Sequence, residues 1–188
     1  MVKRLVLVRH AKSSWVDPDL DDHDRPLNGR GRRAAVLVGR HLREVGLVPD
    51  LVLCSSATRA RATLDRFEFP SETDVSIEDP LYGAGADGLA ERLRAVPDEV
   101  GSVLMLGHNP GIEDLAAFLV DDHRVVPEKY PTAAVANLRL SIGTWDALAQ
   151  GVGRLDGFVT PRALEGAVLD SAGTGRRTGG TDRLDRGA

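Results

Sequence analysis

Short apolar runs alternate along most of this chain with longer amphipathic segments. The runs at 4–8, 50–54 and 102–107 are rich in Leu and Val, and polar residues directly follow each of them. Runs of this length and composition are typical of strands that a sheet buries on both faces. Weaker strand patterns lie at 75–77, 133–140 and 155–159.

The segments between these runs carry helix signals. Asn28 can cap a helix that begins near Gly29 and shows apolar residues at helical spacing. Further helices are predicted at 57–65, at 88–96 with Asp87 as the cap, and from Pro110 to 120. Strands that alternate with helices predict a three-layer α/β fold, in which helices cover both faces of a mostly parallel central sheet.

The length of 188 residues suits one domain with a substantial core. We expect this domain to occupy residues 1–170. Residues 171–188 are rich in Gly and Arg with almost nothing apolar to bury, so we expect a disordered tail there.

Charge and cysteine content exclude several classes of protein. The formal net charge of −4 argues against nucleic acid as a partner. A single cysteine, Cys54, excludes a disulfide framework and a cysteine-based zinc cluster. No apolar run approaches the roughly 20 residues that a transmembrane helix needs. We therefore expect a cytoplasmic protein without a membrane partner; its oligomeric state stays open.

Three polar clusters, at 9–10, 55–59 and 107–108, follow the three strongest strand patterns. In open α/β sheets, ligands bind beyond the carboxyl ends of the parallel strands. The clusters are therefore expected to meet at one edge of the sheet, with the start of the helix after Ser55 adding backbone donors for an anion.

The residue types in these clusters suit phosphate chemistry. Guanidinium groups bind phosphate oxygens through several hydrogen bonds and stay charged. A neutral imidazole is a competent nucleophile toward phosphorus. His10 is thus a candidate nucleophile, with Arg9, Arg59 and His108 stabilising charge on the phosphoryl oxygens. This chemistry requires no metal and no cofactor.

Four ordered motifs, covering about residues 3–165, resemble the histidine phosphatase superfamily, whose fold is that of the phosphoglycerate mutases. SixA-type phosphohistidine phosphatases are the most similar members. The motifs are Leu-Val-Leu-Val-Arg-His-Ala at 5–11, Arg-Pro-Leu-Asn-Gly-Arg-Gly at 25–31, Ser-Ser-Ala-Thr-Arg-Ala-Arg-Ala-Thr at 55–63 and Leu-Gly-His-Asn-Pro-Gly at 106–111.

The resemblance implies roles for matching residues. His10 matches the nucleophile that becomes transiently phosphorylated, and Arg9, Arg59 and His108 match the rest of the phosphate pocket. Arg25 matches a position near that pocket, so we expect it, together with Ser55, to bind substrate. The family commonly has Gly after the Arg-His pair, where this chain has Ala11.

The general acid is the point at which this chain departs from its larger relatives, which use a Glu before an aromatic-Gly pair. Glu78 and Asp79 precede Tyr82-Gly83 here, and the spacing leaves both open as candidates. SixA-like members manage without a dedicated acid. Imidazole is a good leaving group that protonates near neutral pH, whereas an alkoxide needs a proton in the transition state.

The preferred substrate is protein phosphohistidine, because the short chain leaves no room for long insertions around the site. Alternatives are a phosphatase for small phosphomonoesters, with Glu78 or Asp79 as acid, and a non-catalytic module that binds phosphate or phosphoprotein. A cysteine phosphatase is disfavoured, because four residues separate Cys54 from Arg59 where that motif needs five.

Two further features lie near the candidate nucleophile in sequence. His23, in a run of Asp residues, is interpreted as a solvated loop residue. The segment 13–15 is either a loop anchored by Trp15 or a rim that touches substrate.

Overall fold

The computed structural model describes residues 2–122, 125–127 and 129–174. Its strands are β1 (Lys3–Arg9), β2 (Leu51–Ser55), β3 (Asp74–Glu78), β4 (Ser102–Gly107), β5 (Val135–Leu140) and β6 (Gly153–Val159). Its α-helices are α1 (Gly29–Glu44), α2 (Thr58–Leu64), α3 (Ala86–Arg94), α4 (Gly111–Leu119) and α5 (Pro161–Thr174). The alternation of strands and helices confirms the predicted α/β class.

The strands form one six-stranded sheet in the order β3-β2-β4-β1-β5-β6. Strands β3, β2, β4 and β1 are parallel, whereas β5 is antiparallel to both β1 and β6. The predicted mostly parallel sheet is confirmed. Strand β1 lies inside it, with Leu7 paired to Met105 on one side and to Ala136 on the other.

Helices cover both faces of the sheet and bury two separate apolar clusters. Because successive side chains of a strand point to opposite faces, Leu5 and Leu7 of β1 pack with α3 and α4, while Val6 and Val8 pack with α1 and α2. This explains why the central strands are continuous apolar runs rather than alternating ones.

Most helix limits agree with the sequence patterns, with two exceptions. The Asn28 side chain caps α1 by accepting a hydrogen bond from the Gly31 amide at 2.8 Å, as predicted. The prediction that Asp87 caps the helix at 88–96 is wrong. This helix, α3, begins earlier, with Gly85 at the N-cap and no side-chain hydrogen bond there. Packing of its buried residues against the core sets where this helix begins: Leu89, Ala90 and Leu93.

The second exception is α5, which the sequence patterns did not predict. It extends to Thr174, so residues 171–174 of the predicted tail are helical. Residues 175–188 of that tail lie outside the described residues. Within the described part of the chain, no helix is long and apolar enough to cross a membrane.

The parallel strands bring the polar clusters to one edge of the sheet. Strand β1 ends at Arg9 beside Gly107 at the end of β4, and β2 ends at Ser55 on the other side of β4. The residues that immediately follow these three strands therefore face one another.

Candidate active site

His10 follows β1 and is buried, with 8% of its surface exposed. Arg59 donates a hydrogen bond from Nε to His10 Nε2 at 3.2 Å. A guanidinium can only donate, so His10 Nε2 carries a lone pair, and the ring proton is on Nδ1, which donates to the carbonyl oxygen of Ala11 at 2.8 Å. The geometry thus selects a neutral tautomer with an unprotonated Nε2.

Electrostatics favour the same neutral form. Burial lowers the pKa of His10 to about 3; the hydrogen bond to Ala11 opposes this shift, and the positive charges of Arg59 and Arg9 add to it. At neutral pH the Nε2 lone pair is therefore free of a proton.

His108 follows β4, and its ring centroid lies 4.8 Å from that of His10. Arg59 Nη2 donates to His108 Nδ1 at 3.3 Å, so the proton of this ring is on Nε2 and is donated to Ser55 Oγ at 2.8 Å. Burial lowers the pKa of His108 to about 4, with a further contribution from the charge of Arg59. Ser55 is thus placed to orient His108.

Arg59 connects the two histidines. It lies on α2, is 6% exposed, and makes hydrogen bonds to both imidazoles. The helix is tied to the backbone after His10, because Thr63 Oγ1 accepts a hydrogen bond from the Ala11 amide at 3.0 Å. The structure therefore brings together four residues, which we call the His10 cluster: His10, Ser55, Arg59 and His108.

Arg9 lies beside the His10 cluster without a hydrogen bond to it. Its Nη1 donates to the carbonyl oxygen of Tyr130 at 2.7 Å, and its charge lowers the pKa of both His10 and His108. The Nε of Arg9 is buried and has no hydrogen-bond partner among the described residues. A buried N–H without a partner costs free energy, which a bound oxyanion would recover.

Arg25 is not part of the His10 cluster. Its guanidinium donates to Ser13 Oγ at 2.7 Å, to the Ser14 carbonyl at 2.9 Å and to Asp22 at 2.7 Å. It also stacks 3.0 Å from the ring centroid of Trp15, whose surface is 72% exposed. Arg25 therefore holds the segment 13–25 together rather than pointing at His10, and Trp15 does not anchor the loop in the core.

Neither carboxylate proposed from the sequence as general acid reaches the His10 cluster. Glu78 accepts two hydrogen bonds from Arg92, both at 2.7 Å, and one from Ser76. Partial burial would raise the pKa of Glu78, but these bonds lower it instead. Asp79 is exposed at the start of a turn of 3-10 helix. Among the described residues, no hydrogen bond links either carboxylate to the cluster.

The structure adds three residues that the sequence analysis did not place at the site: Asp22, His23 and Tyr82. Asp22 forms an ion pair with Arg59 at 2.8 Å. Tyr82 packs edge-on against His108 with ring centroids 5.4 Å apart. The side chain of His23 is 38% exposed, in line with its interpretation as a solvated residue, and its Nε2 also lies 2.9 Å from Ser56 Oγ. The aromatic-Gly pair could have indicated that Tyr82 lies at the site. No sequence signal distinguishes Asp22 from the aspartates beside it.

Cys54 is buried, and burial raises the pKa of its thiol to about 12. A cysteine phosphatase requires a thiolate, so this alternative is not supported. In the described ranges, no group of three or more His, Cys, Asp or Glu side chains is arranged to hold a metal ion.

Comparison with known proteins identifies the family. The profile of the histidine phosphatase superfamily, branch 1, matches residues 5–99. An uncharacterised protein of Mycobacterium tuberculosis, Rv1276c, is 40% identical over 162 residues, which cover 82% of this chain and 100% of that protein. An uncharacterised chloroplastic protein of Arabidopsis thaliana, At3g52155, is 35% identical over 175 residues, covering 85% and 78%. The chain therefore belongs to branch 1 of the histidine phosphatase superfamily.

Solved structures are similar over most of the chain. A protein of Nakamurella multipartitia assigned as phosphohistidine phosphatase SixA superposes with a TM-score of 0.77 at 32% identity, covering 86% of this chain and 97% of that one. The protein histidine phosphatase SixA complexed with tungstate superposes with a TM-score of 0.71 at 24% identity, covering 86% and 99%, and this likeness shows the fold. Within its superfamily, the chain thus resembles SixA in structure.

Proposed function

We propose that this chain is a phosphatase that acts through a covalent phosphohistidine intermediate on His10. The observation that carries the proposal is the tautomer of His10, whose unprotonated Nε2 faces Arg59 at 3.2 Å. In the first half-reaction this nitrogen forms an N–P bond while the bond from phosphorus to the leaving group breaks. In the second, water attacks phosphorus and the electron pair of the N–P bond returns to Nε2.

The neighbouring residues supply charge for the transferred group. Arg9 and Arg59 are positively charged and close to His10, which supports a role for both in binding the phosphoryl oxygens, on which negative charge develops. His108 is neutral, and its part in this proposal is to turn the N–H that it now donates to Ser55 Oγ toward a phosphoryl oxygen. The unpartnered Nε of Arg9 is one donor available for this purpose. Side chains of this chain fill each role, so the proposed mechanism includes no metal or cofactor.

The preferred substrate is a phosphohistidine side chain of another protein. Within the described residues, the connections 10–28, 56–57 and 79–85 at this edge of the sheet contain at most single turns of 3-10 helix, and the lack of longer inserted elements there supports a protein substrate. The P–N bond also suits a site in which neither Glu78 nor Asp79 is placed as acid. The similar structure assigned as SixA supports the same substrate class.

The non-catalytic alternative fits the site less well. A protein that only binds phosphate gains affinity from a protonated, positively charged imidazole. Here burial and neighbouring cations lower the pKa of His10 to about 3, which weakens anion binding but keeps the nucleophilic nitrogen unprotonated. The arrangement therefore favours turnover over binding alone.

Rapid-quench trapping tests the proposal. The full chain is mixed with a radiolabelled phosphohistidine protein, and label that is acid-labile and alkali-stable is expected on the wild type but not on His10→Asn. His41→Asn is the control, because His41 is a half-buried residue of α1 outside the His10 cluster. Full turnover by His10→Asn would exclude the covalent mechanism. Phosphate binding without any turnover would identify a binding module.

Parallel rates on the phosphohistidine protein and on a panel of sugar phosphates separate the two substrate classes. We expect faster turnover of the phosphohistidine protein. Faster turnover of a sugar phosphate would establish the small-molecule alternative.

A further inference from the structure

Asp22 places a carboxylate directly beside the His10 cluster. Its Oδ2 accepts hydrogen bonds from Arg59 Nη2 and from the Tyr82 hydroxyl, both at 2.8 Å, and its Oδ1 accepts one from Arg25 Nη1 at 2.7 Å. Among the described residues, it is the only acidic side chain that hydrogen-bonds to Arg59. The carboxylate that the site needs for acid chemistry is therefore present, but in the segment between β1 and α1.

The position of Asp22 relative to His10 suits a leaving group. Arg59 directs Nε toward His10 and Nη2 toward Asp22, so the guanidinium separates the nucleophilic nitrogen from the carboxylate. In an in-line displacement, the leaving group departs on the side of phosphorus opposite the nucleophile. The Asp22 side chain is half-exposed, so a leaving group can approach its carboxylate from solvent.

Three hydrogen-bond partners stabilise the negative charge of the Asp22 carboxylate. Partial burial alone would raise the pKa of Asp22, but the hydrogen bonds from Tyr82, Arg25 and Arg59 lower it to about 2. A phosphoryl group bound at Arg59 would compete for one of these bonds and add negative charge nearby. Both changes increase the affinity of the carboxylate for a proton.

Tyr82 is a weaker candidate for the same role. Its hydroxyl already donates to Asp22, and this bond raises the pKa of Tyr82. His23 lies within hydrogen-bond distance of Ser56 and Asp24 and packs edge-on against Tyr82, and among the described residues no hydrogen bond joins it to Arg59.

We propose that Asp22 is the proton donor to the leaving group when this enzyme hydrolyses an alkyl phosphomonoester. The inference rests on the proposed function. A monoester monoanion binds and passes its proton to the Asp22 carboxylate. His10 Nε2 then forms the N–P bond, the P–O bond breaks, and the leaving oxygen takes the proton from Asp22. In the second half-reaction, water attacks phosphorus as the N–P bond breaks, both of its protons leave with the phosphate, and Asp22 remains a carboxylate.

The need for this proton depends on the leaving group, and this dependence makes the role testable. An alkoxide is a poor leaving group and requires protonation in the transition state. Nitrophenolate leaves readily as an anion, and phosphoimidazole is protonated on its free ring nitrogen near neutral pH, so neither needs a proton from Asp22. A residue that only positions Arg59 would instead affect every substrate to the same extent, because all of them share the phosphoryl group.

The test compares Asp22→Asn with the wild type on glycerol phosphate, p-nitrophenyl phosphate and phosphoimidazole. Turnover of glycerol phosphate is expected to fall by about 10²- to 10⁴-fold, while the other two rates stay within about fivefold. Asp21→Asn is the matched control, because Asp21 lies one residue away and makes no side-chain capping bond. It is expected to match the wild type on all three.

A second variant, Asp22→Glu, keeps a carboxylic acid and should recover part of the glycerol phosphate activity. Equal losses on all three substrates with Asp22→Asn, or no loss on glycerol phosphate, would overturn the proposal. A wild-type protein that does not hydrolyse glycerol phosphate would also overturn it. The proposed function would survive each of these results, because it is tested separately, by trapping of the phosphoenzyme in the wild type and its absence in His10→Asn.

Discussion

At the residue scale, Arg59 determines where the protons of the two histidines lie. Since its nitrogens only donate, the ring nitrogens that face it, His10 Nε2 and His108 Nδ1, must accept. The opposite nitrogen of each ring then needs an acceptor. The Ala11 carbonyl is that acceptor for His10, and Ser55 Oγ is that acceptor for His108.

Ser55→Ala is expected to lower kcat by about five- to tenfold, because His108 loses the partner that fixes its orientation. This corresponds to the roughly 1 kcal/mol that a neutral hydrogen bond contributes. Steady-state kinetics on p-nitrophenyl phosphate measures the effect. Ser76→Ala is the control, because Ser76 on β3 donates to Glu78, outside the His10 cluster. Equal effects of the two substitutions would argue against the role of Ser55.

At the scale of elements, α1 holds the chain that follows the nucleophile. The Asn28 amide donates to the Lys12 carbonyl at 3.0 Å, and the helix backbone at Gly31 packs directly on Lys12. A Cβ at position 31 would lie 2.1 Å from the Lys12 carbonyl oxygen. This close approach, rather than conformational freedom, explains why glycine occupies the position.

Gly31→Ala is therefore expected to reduce the free energy of unfolding by roughly 1–3 kcal/mol, as overpacking does elsewhere. Gly29→Ala provides the control in the same turn of α1, since a Cβ there meets only the ends of Arg33 and Arg32 side chains, at 3.6 Å and beyond. Urea unfolding of both variants gives the comparison. A loss no larger for Gly31→Ala than for Gly29→Ala would contradict the packing argument.

At the scale of the whole molecule, the site places two imidazoles in the interior at a cost in free energy. Both are 8% exposed, at the edge where β1 and β4 end. Burial lowers the pKa of His10 from 6.5 to about 3 and that of His108 from 6.5 to about 4. The unfolded chain binds these protons more readily than the folded protein does.

Stability is therefore expected to depend on pH in a defined direction. Between pH 6.5 and about 3 the unfolded state binds more protons at His10, so the free energy of unfolding falls as the pH falls through this range. Well above pH 6.5 both histidines are neutral in the folded and unfolded states, so they add no further pH dependence to the free energy of unfolding. Urea unfolding from pH 4.5 to 8 measures the slope, which should be shallower for His10→Asn than for the wild type. Parallel curves would contradict the assigned shift.

Apolar periodicity predicted the fold class well, because a strand that is buried on both faces is a short continuous apolar run in the sequence. The strands that end at Arg9, Ser55 and Gly107 were expected to meet at one edge of the sheet, because the carboxyl ends of parallel strands lie together. The same rule placed His10, Arg59 and His108 together. Helix limits were harder, since tertiary packing rather than Asp87 sets the start of α3.

The amino-acid sequence by itself determined the α/β class, a mostly parallel sheet with two covered faces, and the residues that meet beyond β1, β2 and β4. Only the tertiary structure decided which nitrogens of His10 and His108 carry a proton. It also decided that Glu78 hydrogen-bonds to Arg92 and that Asp22 hydrogen-bonds to Arg59. The physical reason is that apolar periodicity is a local property of the chain. The partner of a charged side chain depends instead on the conformation of loops, which apolar periodicity does not predict.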